Sequence, residues 1–115
     1  MDNLSLSKDA DALICLIYKH YLQKRSEGTS KSNAKFLGDI NNIHSIAQKL
    51  NWSIADLEDT CRELSRAGVL TCHFADNTIY AAYLSDEGII YLENRFKSGV
   101  KTLLDYLSKI VPFVI

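Results

Sequence analysis

The sequence holds one proline, three cysteines and no long apolar run, and each shortage removes a class of protein. A single proline in 115 residues, nearly half of them apolar, suits one globular domain with one core rather than a disordered or fibrous chain. Cys15, Cys61 and Cys72 are odd in number and lack CxxC spacing, which argues against a disulfide framework and against a zinc site. They read as reduced, mostly buried thiols of a cytoplasmic protein. Histidines 20, 44 and 73 are scattered, so no metal and no cofactor is expected. The apolar C-terminal stretch is broken by Asp105, Ser108 and Lys109, short of the roughly 18 residues that a membrane span needs. Residues 1–7 carry an acid and no apolar run, so no signal peptide is expected there. No Ser-His-Asp, Cys-His or glycine-rich phosphate arrangement stands out, so the chain does not read as an enzyme. A net charge of −1 gives no whole-protein attraction to nucleic acid.

Periodicity is plentiful by contrast. Ser7 is a plausible cap for a first helix over 8–25, in which Ala10, Leu13, Ile14, Ile17 and Tyr21 share one face. Residues 26–34 read as a solvated loop, and Phe36 with Leu37 as a short extended piece. Asn42 can cap a second helix in which Ile43, Ile46, Ala47 and Leu50 recur at helical spacing. Asn51 and Trp52 turn the chain, and Ser53 caps a third helix whose inner face is Ile54, Leu57, Cys61 and Leu64. Gly68 stands where a left-handed residue ends a helix. Over 69–84 the period falls to two: Leu70, Cys72 and Phe74, then Ile79, Ala81 and Tyr83, flank turn formers at 75–78, which predicts a β-hairpin. Ser85 caps a last helix that runs over 85–111 until Pro112 interrupts it. The fold class is therefore mainly α with a small β-hairpin (α+β), in a single domain over 1–115. Trp52 and the tyrosines at 18, 21, 80, 83, 91 and 106 read as core packing.

The run NIHSIAQKLNWSIADLEDTCRELSRAGVLTCHF over 42–74 resembles the core of the winged helix-turn-helix superfamily of DNA-binding proteins, with Ile46, Ala47, Leu50, Ser53, Leu64 and Gly68 at the characteristic places. A second run, YLSDEGIIYLE over 83–93, is similar to the Leu-Thr/Ser-x-x-Gly entry to the C-terminal helix of MarR-, PadR- and YjcQ-like bacterial regulators. The resemblance implies a transcriptional regulator with a third helix in the major groove of double-stranded DNA and a hairpin wing on the backbone or minor groove. It assigns groove contacts to Ser53, Asp56, Thr60, Arg62 and Arg66, and wing contacts to His73, Asn77 and Thr78.

The charge pattern complicates that assignment. Asp56, Glu58, Asp59 and Glu63 outnumber Arg62 and Arg66 on the third helix, whereas contact with phosphate needs cations. The wing tip has no Arg or Lys. The locally basic segment holds Lys19, Lys24, Arg25, Lys31 and Lys35, which would grip the DNA backbone if it folds toward the third helix. A winged-helix protein-interaction module, with the acidic third helix facing a protein partner, is the alternative. Ile89, Leu92, Phe96, Val100, Leu103, Leu107, Ile110 and Val114 step by three or four residues, an apolar seam that predicts a homodimer through the terminal helices.

Overall fold

Ser7 opens the first helix of the computed structural model, which describes residues 4–111. Its hydroxyl accepts the Ala10 N–H at 3.1 Å, Asp9 and Asp11 occupy the first turn, and α1 spans Lys8–Ser26. Apolar residues ring the middle of α1, so it is buried nearly all round and forms the central pillar of the core. Leu13, Ile14 and Ile17 are inaccessible to solvent. Residues 26–34, expected to be loop, instead hold the start of a short helix, α2 (Lys31–Lys35), capped by Ser30.

β1 (Phe36–Gly38) leads into α3 (Ile40–Ile46). The cap of α3 is Asp39 rather than Asn42: Asp39 Oδ1 accepts the Asn42 N–H at 3.0 Å, while the Asn42 carboxamide donates to Leu37 O at 2.6 Å. A 3₁₀ turn, Gln48–Leu50, ends at Asn51, whose φ of 57° reverses the chain. His44 Nε2 donates to Trp52 O at 2.9 Å and ties the reversal to α3. Ser53 then caps α4 (Ile54–Arg66) by accepting the Asp56 N–H at 3.1 Å. At its far end Gly68 takes φ 83°, with bonds from Gly68 N to Ser65 O and from Val69 N to Leu64 O, which closes α4 in a Schellman motif.

β2 (Leu70–Ala75) and β3 (Thr78–Leu84) form a hairpin about Asp76 and Asn77, both at positive φ, as a two-residue turn of the primed type requires. The antiparallel sheet has the order β1-β3-β2. One extra residue in β3 changes which side chains reach the core: His73 pairs with Ala81 and Phe74 with Ile79, leaving Tyr80 as a bulge. Ala82 and Leu84 consequently point inward, and Tyr80 and Tyr83, expected in the core, are exposed, as is Phe74 on β2, whose ring lies under Arg62. Strict alternation misses this because a bulge shifts the inward set by one.

The expected single helix over 85–111 is two helices, α5 (Asp86–Arg95) and α6 (Val100–Ile110), broken where Gly99 adopts φ 103°. The break folds α6 back along α1, so Leu103 and Leu107 fill the same core as Leu92 and Phe96. Pro112 and Val114, the expected stop and the last residue of the seam, lie outside the described residues.

Two local constraints set this arrangement. Ser85 accepts the Gly88 N–H at 2.9 Å and donates its hydroxyl to Gly68 O at 2.6 Å, and its own N–H reaches Val69 O at 3.1 Å. A Cβ on Gly88 would stand 2.5 Å from Val69 O, so only glycine allows α5 to approach this backbone. The second constraint is a polar knot on α1: Asp11 accepts hydrogen bonds from both terminal nitrogens of Arg95, the longer being 3.1 Å, and from the Tyr106 hydroxyl. Burial alone would raise the Asp11 pKa, but the bonds from Arg95 and Tyr106 together with the Arg95 charge outweigh it and hold the carboxyl below its ordinary value.

Gly88→Ala should therefore lower stability by about 1–3 kcal/mol, the usual range for overpacking, read as a lower urea midpoint with unchanged slope. Asp11 contributes stability that is complete above its unfolded pKa, near 4, and is lost as pH falls through the lower folded value. Asp11→Asn should consequently be less stable than the native chain at pH 7, with a deficit that shrinks below pH 4 in chemical denaturation; a deficit constant down to pH 2 would contradict this role for the carboxylate.

Candidate recognition surface

α4 divides its residues sharply. Leu57, Thr60, Cys61 and Leu64 face the core, and Ala55, Asp56, Asp59 and Arg66 face solvent. Thr60, expected to read the groove, is only 8% exposed, and its hydroxyl donates to Asp56 O at 2.9 Å. Ser53 is exposed, yet its oxygen is engaged as the helix cap.

The tip of the hairpin is clasped by α4. Arg62 donates to Asn77 O at 3.0 Å, stands 3.5 Å from the Asp59 carboxylate, and lies 4.9 Å over the Phe74 ring. Glu58 accepts both the Thr78 hydroxyl and, at 3.1 Å, the Ile79 N–H. The structure thus gathers Arg62, Asn77 and Thr78 into one place, where they bond to one another's elements. Glu58 is the member that sequence reasoning overlooked: its spacing on a charged helix gives no sign of a partner 20 residues ahead.

The remaining expected residues are dispersed. His73 lies on the outer face of the sheet beside Tyr80 and Tyr83, at ring separations of 6.2 and 6.0 Å, and Phe36 meets Tyr83 at 5.2 Å. Lys35 pairs with Asp86 at 3.0 Å, and that hydrogen bond and charge hold the Asp86 carboxyl below its ordinary pKa. Lys24, Arg25 and Lys31 are exposed near the end of α1 and on α2, with Arg25 donating to Thr29 O at 3.1 Å. The basic segment leads into β1, whereas α4 packs beside β2, at the opposite edge of the sheet. Glu63 is drawn away to α1, accepting the Ser7 N–H at 2.9 Å and the Ser7 hydroxyl at 2.7 Å, which lowers its pKa.

Of the expected dimer seam, Leu92, Phe96, Leu103 and Leu107 are buried within the chain itself, Ile110 is half-buried and Val100 is exposed. Ile90, Val100 and Leu104 are the large apolar side chains that α5 and α6 leave open to solvent. Cys15 and Cys61 are buried, and burial pushes both thiols up to about 12, where they stay protonated. Among the described residues no three His, Cys, Asp or Glu side chains converge as a metal cluster, and no helix is long and apolar enough to cross a membrane.

A scan against protein-family models, a search of curated proteins and a search of solved structures each found no match. The clasp has a direct readout: Glu58→Ala should speed hydrogen exchange at the Ile79 amide by roughly tenfold, in line with losing a hydrogen bond to a charged acceptor. Arg66→Ala should leave that amide unchanged.

Proposed function

We propose that the chain is a winged-helix recognition domain that uses α4 and the wing to bind a protein partner rather than duplex DNA. Support for the class comes from element order: α1, β1, α3, a tight turn, α4, then the β2–β3 hairpin and a helix entered through Leu84, Ser85 and Gly88. In a winged helix α4 is the recognition helix and the hairpin is the wing.

One observation carries the choice of partner. Arg62, the cation in the middle of α4, is occupied by Asn77, Asp59 and Phe74, which leaves Asp56 and Asp59 outermost on the face that a DNA duplex would have to approach. Duplex DNA carries one phosphate charge per about 1.7 Å of axis, so a face on which Asp56 and Asp59 outnumber Arg66 meets repulsion with little counterion release to offset it. A protein surface presenting Lys or Arg suits the same face.

Duplex DNA is the second reading, favoured by Arg66, Lys24 and Lys31, which are exposed and make no ion pair among the described residues. Arg66 is on α4 itself, but the reading also needs Lys24 and Lys31 on that side, and the chain leads Lys31 into β1 at the opposite edge of the sheet. Two-fold pairing through α5 and α6 is left with Ile90, Val100 and Leu104 as exposed apolar residues, since Ile89, Leu92, Phe96, Leu103 and Leu107 fill the chain's own core.

Fluorescence anisotropy with a labelled random duplex tests the reading. The native chain should bind more weakly than about 10⁻⁴ M at physiological salt, the weak end of ordinary non-specific affinity. The double change Asp56→Lys, Asp59→Lys should introduce binding that falls steeply between 50 and 200 mM salt, on the order expected when new phosphate contacts form. Micromolar binding by the native chain with a steep salt dependence would sink the protein-partner reading.

A further inference from the structure

A surface pocket of about 120 Å³ lies between α1 and the 3₁₀ turn that precedes α4. We propose that it binds a phosphate group, as the free ion or as the head of a small monoester. Lys19, His20 and Gln23 contribute from α1, and Gln48 and Lys49 from the 3₁₀ turn. No Asp or Glu lines the pocket, Lys19 and Lys49 form no ion pair among the described residues, and Gln23 and Gln48 have no side-chain partner there. Ser45 also lines the pocket, but its hydroxyl donates to Asn41 O at 3.3 Å within α3.

This arrangement differs from an ordinary solvated charge run. Two lysines and a histidine from separate elements line one small concavity that no carboxylate shares, so an entering anion meets cationic side chains on two of its walls. Burial first and Lys24 second lower the His20 pKa, against an opposing pull from Glu27. The donors number two ammonium groups, one ring N–H and two carboxamides, a set able to satisfy the several acceptor oxygens of a phosphate. Size narrows the ligand further. The pocket falls well below the roughly 300–1,000 Å³ of sites that enclose drug-sized molecules, so it accommodates the oxyanion head alone and leaves the remainder of an ester in solvent. An occupant would bridge α1 to the 3₁₀ turn and so brace the reversal at Asn51 from which α4 starts.

The site is separate from the acidic face of α4, and its test is independent of the partner reading. Inorganic phosphate is titrated into the native chain at constant ionic strength, with chloride as the control, and amide shifts are followed by NMR. Saturable shifts confined to residues 19, 20, 23, 48 and 49, with half-saturation below about 1 mM, are expected. The His20 ring should titrate at higher pH when phosphate is present, with Lys19, Lys24, Glu27 and Lys49 as the charged groups around it. Lys19→Ala with Lys49→Ala should weaken binding at least tenfold, and the single change Lys49→Gln, at an exposed position, gives a second reading with minimal demand on folding. Phenyl phosphate distinguishes the sources: affinity equal to or tighter than that of the free ion identifies a monoester head, and weaker affinity identifies the free ion. Linear shifts spread over Lys24, Lys31, Lys97 and Lys101, unchanged affinity in both lysine variants, or a response to duplex DNA alone would overturn the site.

Discussion

The fold depends on one close approach, that of the first turn of α5 to the backbone at Gly68 and Val69. Four elements meet there: the end of α4, the start of β2, the end of β3 and the start of α5. Ser85 satisfies the Gly68 and Val69 carbonyls, and Gly88 supplies the missing Cβ that lets the chains touch. Buried backbone carbonyls left without partners are costly, so this junction fixes where the hairpin departs from α4 and where the C-terminal helices begin. The hairpin is thereby aimed back along α4, and the clasp between Glu58, Arg62 and residues 77–79 completes what the junction starts.

That clasp carries the proposed choice of partner. A guanidinium spent on a neighbouring carbonyl and an aromatic ring is unavailable to a phosphate, and a carboxylate that anchors the wing is a fixed negative charge beside the would-be groove. The resemblance of the sequence to regulators suggests DNA, whereas the local chemistry of α4 favours the proposed protein partner, as expected when function resides in a site rather than in a scaffold.

Much of the architecture was legible because its signals are local. Ser7, Ser53 and Ser85 cap helices, Gly68 ends one, and Asp76 with Asn77 turns the hairpin, each through contacts within a few residues. What escaped was decided at longer range. Asp39 and Asn42 are equally able caps, and the choice falls to Asp39 because Leu37 O recruits the Asn42 side chain. A lone Gly99 inside a helical pattern is tolerable, so the period alone could not show that α6 turns back onto α1. The bulge at Tyr80 left no mark in the alternation, and it reversed the orientation of Tyr83. Site residues fared worse than the fold, since Arg62 and Thr60 look like outward polar groups until their partners are in place.

The break at Gly99 also bears on how the chain acquires its structure. Asp11 meets Arg95 across 84 intervening steps of sequence and Tyr106 across 95. The charged group on the central pillar thus finds its partners only in the C-terminal helices. Contacts of such long separation slow folding, because a large loop is closed before they form. Detachment of α6 would also be the natural first opening of the native state, exposing Leu103 and Leu107 while the sheet and α4 remain assembled.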